Sequence, residues 1–110
     1  MTPPEKSAIL KQTTQETRCV RMNLEQIESF LVLAQRLNFT QAANDLFMAQ
    51  PALSRLIAAL EKELEVQLFH RNSRGVSLTP AGEAFLRECP AILDGYRRSV
   101  SDAQLAQKGD

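Results

Sequence analysis

The sequence has no tryptophan, two cysteines, one histidine and no net charge at neutral pH. Cys19 and Cys89 stand far apart, in no CxxC or Cys/His spacing, so neither a metal site nor a disulfide framework is expected. Two reduced thiols fit a cytoplasmic protein. No apolar run approaches the roughly 20 residues that a membrane span needs. Residues 1–22 lack the apolar centre of a signal peptide. Aromatics are 5% of the chain, so a core drawn from its 44% of hydrophobic residues must be mainly aliphatic. Thirteen basic residues balance thirteen acidic ones. That balance gives no global field for nucleic acid, and any such case must rest on local placement.

The placement is uneven. Between Thr40 and Leu60 the charged residues are Asp45 and Arg55. Glu61, Glu63 and Glu65 then cluster, and His70, Arg71 and Arg74 follow with no acid until Glu83. Residues 1–21 carry Pro3-Pro4, Thr13-Thr14 and scattered charges without a period, which reads as a disordered tail. They also fit upstream sequence read from an early start, because Met22 sits where a compact domain would begin. That domain is expected over 22–79, a linker or dimerisation helix over 80–105, and a frayed end over 106–110.

From Met22 the pattern is helical. Asn23 and Gln26 form a capping box, with Met22 and Ile27 as a hydrophobic staple. Ile27, Phe30, Leu31, Ala34 and Leu37 keep helical spacing, so a first helix should span about Leu24–Leu37, with Asn38 at its end. Thr40 should cap a short second helix through about Leu46, with Ala42, Ala43 and Leu46 inward and Phe39 and Phe47 beside them. Pro51 suits the first turn of a third helix that ends near Leu64. The runs 68–72 and 76–79 around Ser73-Arg74-Gly75 read as a β-hairpin. Thr79-Pro80 starts a fourth helix.

The third helix separates two faces. At 100° per residue from Gln50, its residues Leu53, Ile57, Leu60 and Leu64 fall at about 280–340°, whereas Gln50, Pro51, Ser54, Arg55 and Ala58 fall at about 0–140°. Short polar side chains therefore surround the positive end of an anchored helix. Any solvated helix shows Gln, Ser and Arg outward. A short helix, a tight turn and this helix nevertheless make a helix-turn-helix suited to base edges in a major groove. Arg71 and Arg74 would form a basic wing on a neighbouring phosphate strand or minor groove. The fold class is thus mainly α: a winged helix-turn-helix followed by a long helix.

In the fourth helix Leu86, Leu93 and Val100 recur every seven residues, as do Cys89, Tyr96 and Ala103 three places later. Such a stripe fits a partner helix, with Leu86, Cys89, Leu93, Tyr96 and Val100 in the interface. It also fits packing against the first helix, which Phe85 and Leu86 could provide. Pro90 and Gly95 should kink or split this helix, and its tail after Val100 should fray.

Three stretches, MNLEQIESFLVLAQRLNFTQAANDL, AQPALSRLIAALEKEL and LFHRNSRGVSLTPAGE, together resemble the N-terminal winged helix-turn-helix of LysR-type transcriptional regulators. The resemblance implies a bacterial regulator that binds double-stranded DNA as a dimer. It places Gln50, Pro51, Ser54 and Arg55 in the major groove, Thr40 and Gln41 near phosphates, and Arg71 and Arg74 in the wing. Three residues depart from the pattern. Ala49 replaces a Ser or Thr cap, Ala58-Ala59 replace basic residues, and Glu65 replaces a glycine. Such regulators carry a C-terminal effector domain, and residues up to Asp110 leave no room for its ligand site, so no small-molecule effector or cofactor is expected in this chain. The chain could be an excised domain, a truncated product or a short form. An alternative reading is an interaction module that pairs with a full-length regulator through the fourth helix. Catalysis is not expected, because Ser54, His70 and Asp45 belong to different motifs.

Overall fold

Two reciprocal hydrogen bonds start the first helix. In the computed structural model, which describes residues 21–109, the Asn23 side chain accepts from the Gln26 amide at 2.8 Å, and the Gln26 side chain accepts from the Asn23 amide at 3.0 Å. They satisfy two donors that a helix start leaves open. Helix α1 runs Leu24–Arg36 and buries Ile27, Phe30, Leu33 and Ala34. It ends one residue before the expected limit, because Leu37 turns left-handed at φ 52°. Asn38 is thereby freed to cap the next helix, and its side chain accepts from the Gln41 amide at 2.9 Å. The expectation that Thr40 caps this helix is corrected: Thr40 lies within α2, Phe39–Asp45. The tail expected over residues 1–21 lies outside the described residues except for Arg21.

The buried alanines Ala42 and Ala43 let α2 approach α1 and the third helix, α3, closely. The turn between α2 and α3 corrects a second expectation. Phe47 is 96% exposed and does not pack beside α2. The turn needs a left-handed residue at this point, and Phe47 takes that role at φ 57° while the Met48 amide donates to the Ala43 carbonyl at 3.0 Å. The backbone reversal directs Met48 to the core and Phe47 to solvent. Helix α3 runs Gln50–Leu64 and buries Leu53, Ile57 and Leu60. Glu65 ends it left-handed at φ 58°, a conformation that costs a non-glycine residue about 1 kcal/mol.

Strands β1, Phe69–Asn72, and β2, Gly75–Leu78, form an antiparallel hairpin with Phe69 opposite Leu78 and Asn72 opposite Gly75. Gly75 sits at φ 127°, a region that side chains disfavour. Helix α4 spans Pro80–Lys108. The Thr79 hydroxyl accepts from the Gly82 amide at 2.9 Å and donates to the Gln67 carbonyl at 2.5 Å. Pro90 and Gly95 do not split α4, and helix continues past Val100 to Lys108. Packing of its first half on α1 offsets the hydrogen bond that Pro90 cannot make.

The seven-residue stripe divides along that helix. Cys89 and Leu93 are 0% and 4% exposed within the chain itself, and Leu86 packs half-buried on the same core. The expectation that Cys89 and Leu93 face a partner is corrected, since the domain's own core covers them, whereas Leu86 keeps part of its surface exposed. Tyr96 and Val100 stay exposed at 49% and 42%. Burial pushes the Cys89 thiol up to about 11, so it is no ready nucleophile at neutral pH. Among the described residues no helix is long and apolar enough to cross a membrane.

Gly82 is where α4 meets the loop before the hairpin. A Cβ at this position would lie 2.1 Å from the Leu68 carbonyl oxygen, a backbone atom that also accepts from the Thr79 amide at 3.0 Å. Neither side can yield cheaply. Gly82→Ala should therefore cost roughly 2–3 kcal/mol in urea unfolding. A loss below about 0.5 kcal/mol, the range of an ordinary surface change, would contradict this close approach.

Candidate nucleic-acid interface

Helices α2 and α3 bring their first turns together. The Thr40 hydroxyl approaches the Gln50 side-chain oxygen at 3.5 Å. Gln41, Gln50, Pro51 and Arg55 are exposed, and Ser54 is half-buried beside them. Ala49 makes no side-chain cap bond, so the positive end of α3 is left to solvent or to a ligand. Leu53 and Ile57 are fully buried behind this face, which makes it a surface on a rigid support.

Arg71 does not project from the hairpin as a free wing residue. Its Nη1 donates to Ser54 Oγ at 3.0 Å, and its guanidinium lies 4.1 Å from the centre of the Phe39 ring. A cation over an aromatic face at such a distance gains roughly 0.5–1 kcal/mol at an exposed site. Arg71 thus joins α2, α3 and the hairpin in one patch with Thr40, Gln50 and Ser54. The strand period held the clue, because Phe69 and Arg71 share one side of β1 and Phe69 is buried. Arg74 behaves as expected of a tip residue: it is exposed, and its amide donates to Asn72 Oδ1 at 2.8 Å.

The local charge is basic. Among the described residues no carboxylate pairs with Arg55, Arg71 or Arg74, and the ion pairs are Arg36–Asp45 at 2.6 Å and Arg97–Asp94 at 3.8 Å. Two of the acids of that cluster, Glu61 and Glu63, serve elsewhere. Glu61 accepts from the Leu68 and Phe69 amides at 2.8 and 3.2 Å, and Glu63 accepts from the Arg21 amide at 3.0 Å. Sequence reading missed the Glu61 contact, which ties the start of β1 to α3. Of the residues Ser54, His70 and Asp45, Asp45 is held by Arg36 and Ser54 by Arg71. Among the described residues no three His, Cys, Asp or Glu side chains group as metal ligands do.

Three helices, a tight turn before the third and an antiparallel hairpin define a winged helix-turn-helix protein. The model of bacterial regulatory helix-turn-helix proteins of the lysR family matches residues 24–83, and the chain belongs to that family. It is 42% identical over 89 residues to the HTH-type transcriptional regulator TfdS of Cupriavidus pinatubonensis (strain JMP 134 / LMG 1197), covering 81% of this chain and 30% of that protein. It is 39% identical over 89 residues to the HTH-type transcriptional regulator AlsR of Bacillus subtilis (strain 168), with the same coverage of 81% and 30%. The chain therefore spans about 30% of the length of these curated relatives. Among solved structures, it is similar to the BenM DBD in complex with catB site 1 DNA, with a TM-score of 0.75, 37% identity, and coverage of 81% of this chain and 100% of that one. Full-length CbnR complexed with its target DNA gives a TM-score of 0.72 at 37% identity, covering 76% of this chain and 29% of that one.

The bonds of Glu61 set the height of the hairpin over α3, and with it the position of Arg71. Glu61→Ala leaves two part-buried amides without their acceptor and should cost roughly 1–3 kcal/mol. Amide exchange at Leu68 and Phe69 should speed up more than exchange at Leu53 or Ile57. Equal acceleration at all four would mean that Glu61 supports the whole domain rather than the hairpin.

Proposed function

We propose that this chain is the DNA-reading module of a LysR-type transcription regulator. Helix α3 enters the major groove, the start of α2 faces phosphates, and the hairpin tip meets the flanking backbone or minor groove. One observation carries the reading: Thr40, Gln50, Ser54 and Arg71 form a continuous polar and basic ridge at the open, positive end of an anchored helix. Short donors there suit base edges, and Arg74 suits phosphate. The solved relatives with bound DNA support it. Ala58 and Ala59 are exposed and offer no charge, so affinity for one half-site should be modest.

Two copies on two half-sites make up for a small, nearly neutral footprint, because tethering renders the second contact intramolecular. The surface for tethering is the ridge Ile92, Tyr96 and Val100, each four residues from the next and each exposed. Leu86, Cys89 and Leu93 hold that ridge in place from beneath.

Selection from random duplexes supplies the operator for the first test. Ser54→Ala should lose roughly 1–3 kcal/mol on the selected site and almost nothing on random DNA. Arg74→Ala should weaken binding to all sequences and flatten the salt slope by about one unit. Equal losses on both DNAs for Ser54→Ala, with an unchanged slope for Arg74→Ala, would remove this face from the DNA.

Assembly gives a second test. Tyr96→Glu and Val100→Glu should yield monomers in sedimentation whose unfolding free energy stays within about 0.5 kcal/mol of the parent. Leu93→Glu should instead unfold the domain, since it buries a charge under α1. A parent chain that sediments as a monomer at high concentration would contradict the dimer.

A further inference from the structure

We propose that Arg71 is a base-reading residue, which recognises a guanine in the major groove beside the bases that α3 reads. The inference deepens the reading of this face as the DNA-reading surface and rests on it.

Strand β1 carries Arg71, but two contacts hold its side chain on the helices. Nη1 donates to Ser54 Oγ of α3 at 3.0 Å, and the guanidinium carbon lies 4.1 Å from the centre of the Phe39 ring of α2. Phe39 is 8% exposed, so that backing is part of the core. Ser54 shares its side of α3 with Gln50 and Arg55. The charge of a hairpin residue is therefore delivered to the face of the recognition helix. Glu61 holds the start of β1 over α3 and keeps Arg71 within reach of Ser54.

These contacts use little of the group. A guanidinium has five N–H donors and no acceptor. Ser54 takes one of them, on Nη1. Among the described residues no oxygen receives the donors of Nε and Nη2, and no carboxylate offsets the charge. Nε and Nη2 form one edge of the plane, a fork of parallel donors.

Guanine alone among the four bases carries two acceptors, O6 and N7, on its major-groove edge. Adenine sets a donor beside its N7, thymine has one acceptor and a methyl group, and cytosine has a donor. The free fork matches guanine. A side chain already held by Phe39 and Ser54 also has less freedom to lose when it binds. Arg74 at the hairpin tip is bonded through its backbone amide, and its side chain is left for phosphate.

The experiment uses the full chain and duplexes selected from random DNA. Selections with the parent and with Arg71→Met should differ at one position, where the parent enriches guanine and the variant does not. Methionine keeps an unbranched chain against Phe39 and carries no N–H donor, and the site is exposed, so the fold should persist. 7-Deazaguanine at that position removes the N7 acceptor and keeps the base pair. The parent should bind this duplex about tenfold more weakly than the guanine duplex, and Arg71→Met should bind the two within about twofold. Arg55→Ala should keep the tenfold difference. Loss of the difference in Arg55→Ala would assign the guanine to α3 itself and overturn the proposal. So would an Arg71→Met chain that weakens every duplex alike and flattens the salt slope by about one unit, the mark of a phosphate contact. A selected site whose preferences all survive Arg71→Met would overturn it too, with the reading of the face left standing. A parent chain that enriches no sequence would contradict that reading as well, which separates the two failures.

Discussion

Phe30 is the point at which three elements meet. Its side chain is fully buried on α1, with the ring 5.4 Å from Phe69 of β1 and 5.0 Å from Phe85 of α4. The chain has five phenylalanines and no tryptophan, and three of the five are spent on this one junction. Tilted and edge-on pairs add roughly 0.5–1.5 kcal/mol each beyond the area they bury. The hairpin is too short to be stable alone. It exists because Phe69 locks into this cluster and Glu61 receives the amides beside it. Helix α4 gains its direction from the same ring, with Gly82 permitting the close approach one turn earlier.

The candidate site inherits its geometry from that packing. Once β1 is fixed over α3, strand alternation sends Arg71 to the side of Phe69, where Ser54 and Phe39 receive it. Once Ala42 and Ala43 let α2 settle on its neighbours, Thr40 comes within reach of Gln50. None of these surface contacts is strong, and each is worth about 1 kcal/mol or less. Together they arrange polar groups that a DNA duplex could meet without waiting for side chains to search. The preorganisation is a product of the core, and the core is aliphatic apart from its phenylalanines.

Local rules made much of this legible in the sequence. The Asn23–Gln26 box, the two faces of α3 and the Thr79-Pro80 start all depend on neighbours a few residues away. What escaped was decided at longer range or by competition. Asn38 and Thr40 are both good caps, and the end of α1 at Leu37 settled the choice. Phe47 was expected beside the inward face of α2, but the turn's need for a positive φ outweighed burial of one ring. The stripe on α4 could not reveal its partner, because α1 of the same chain and a second α4 ask for the same spacing. Burial of Cys89 and Leu93 assigns its first half to the chain itself and leaves Tyr96 and Val100 exposed. The Arg71–Ser54 bond joins residues 17 apart through the hairpin, beyond any period in the sequence.

Backbone amide shifts during titration with a duplex selected from random DNA test the central claim most directly. The largest changes should fall on Gln50, Ala52, Ser54 and Arg55, with further changes at Thr40, Gln41, Arg71 and Arg74. Residues 100–108 of α4 should move little. Changes centred on α4, or on the acidic side around Glu63 and Glu65, with the start of α3 left still, would show that this face is not where the protein meets DNA.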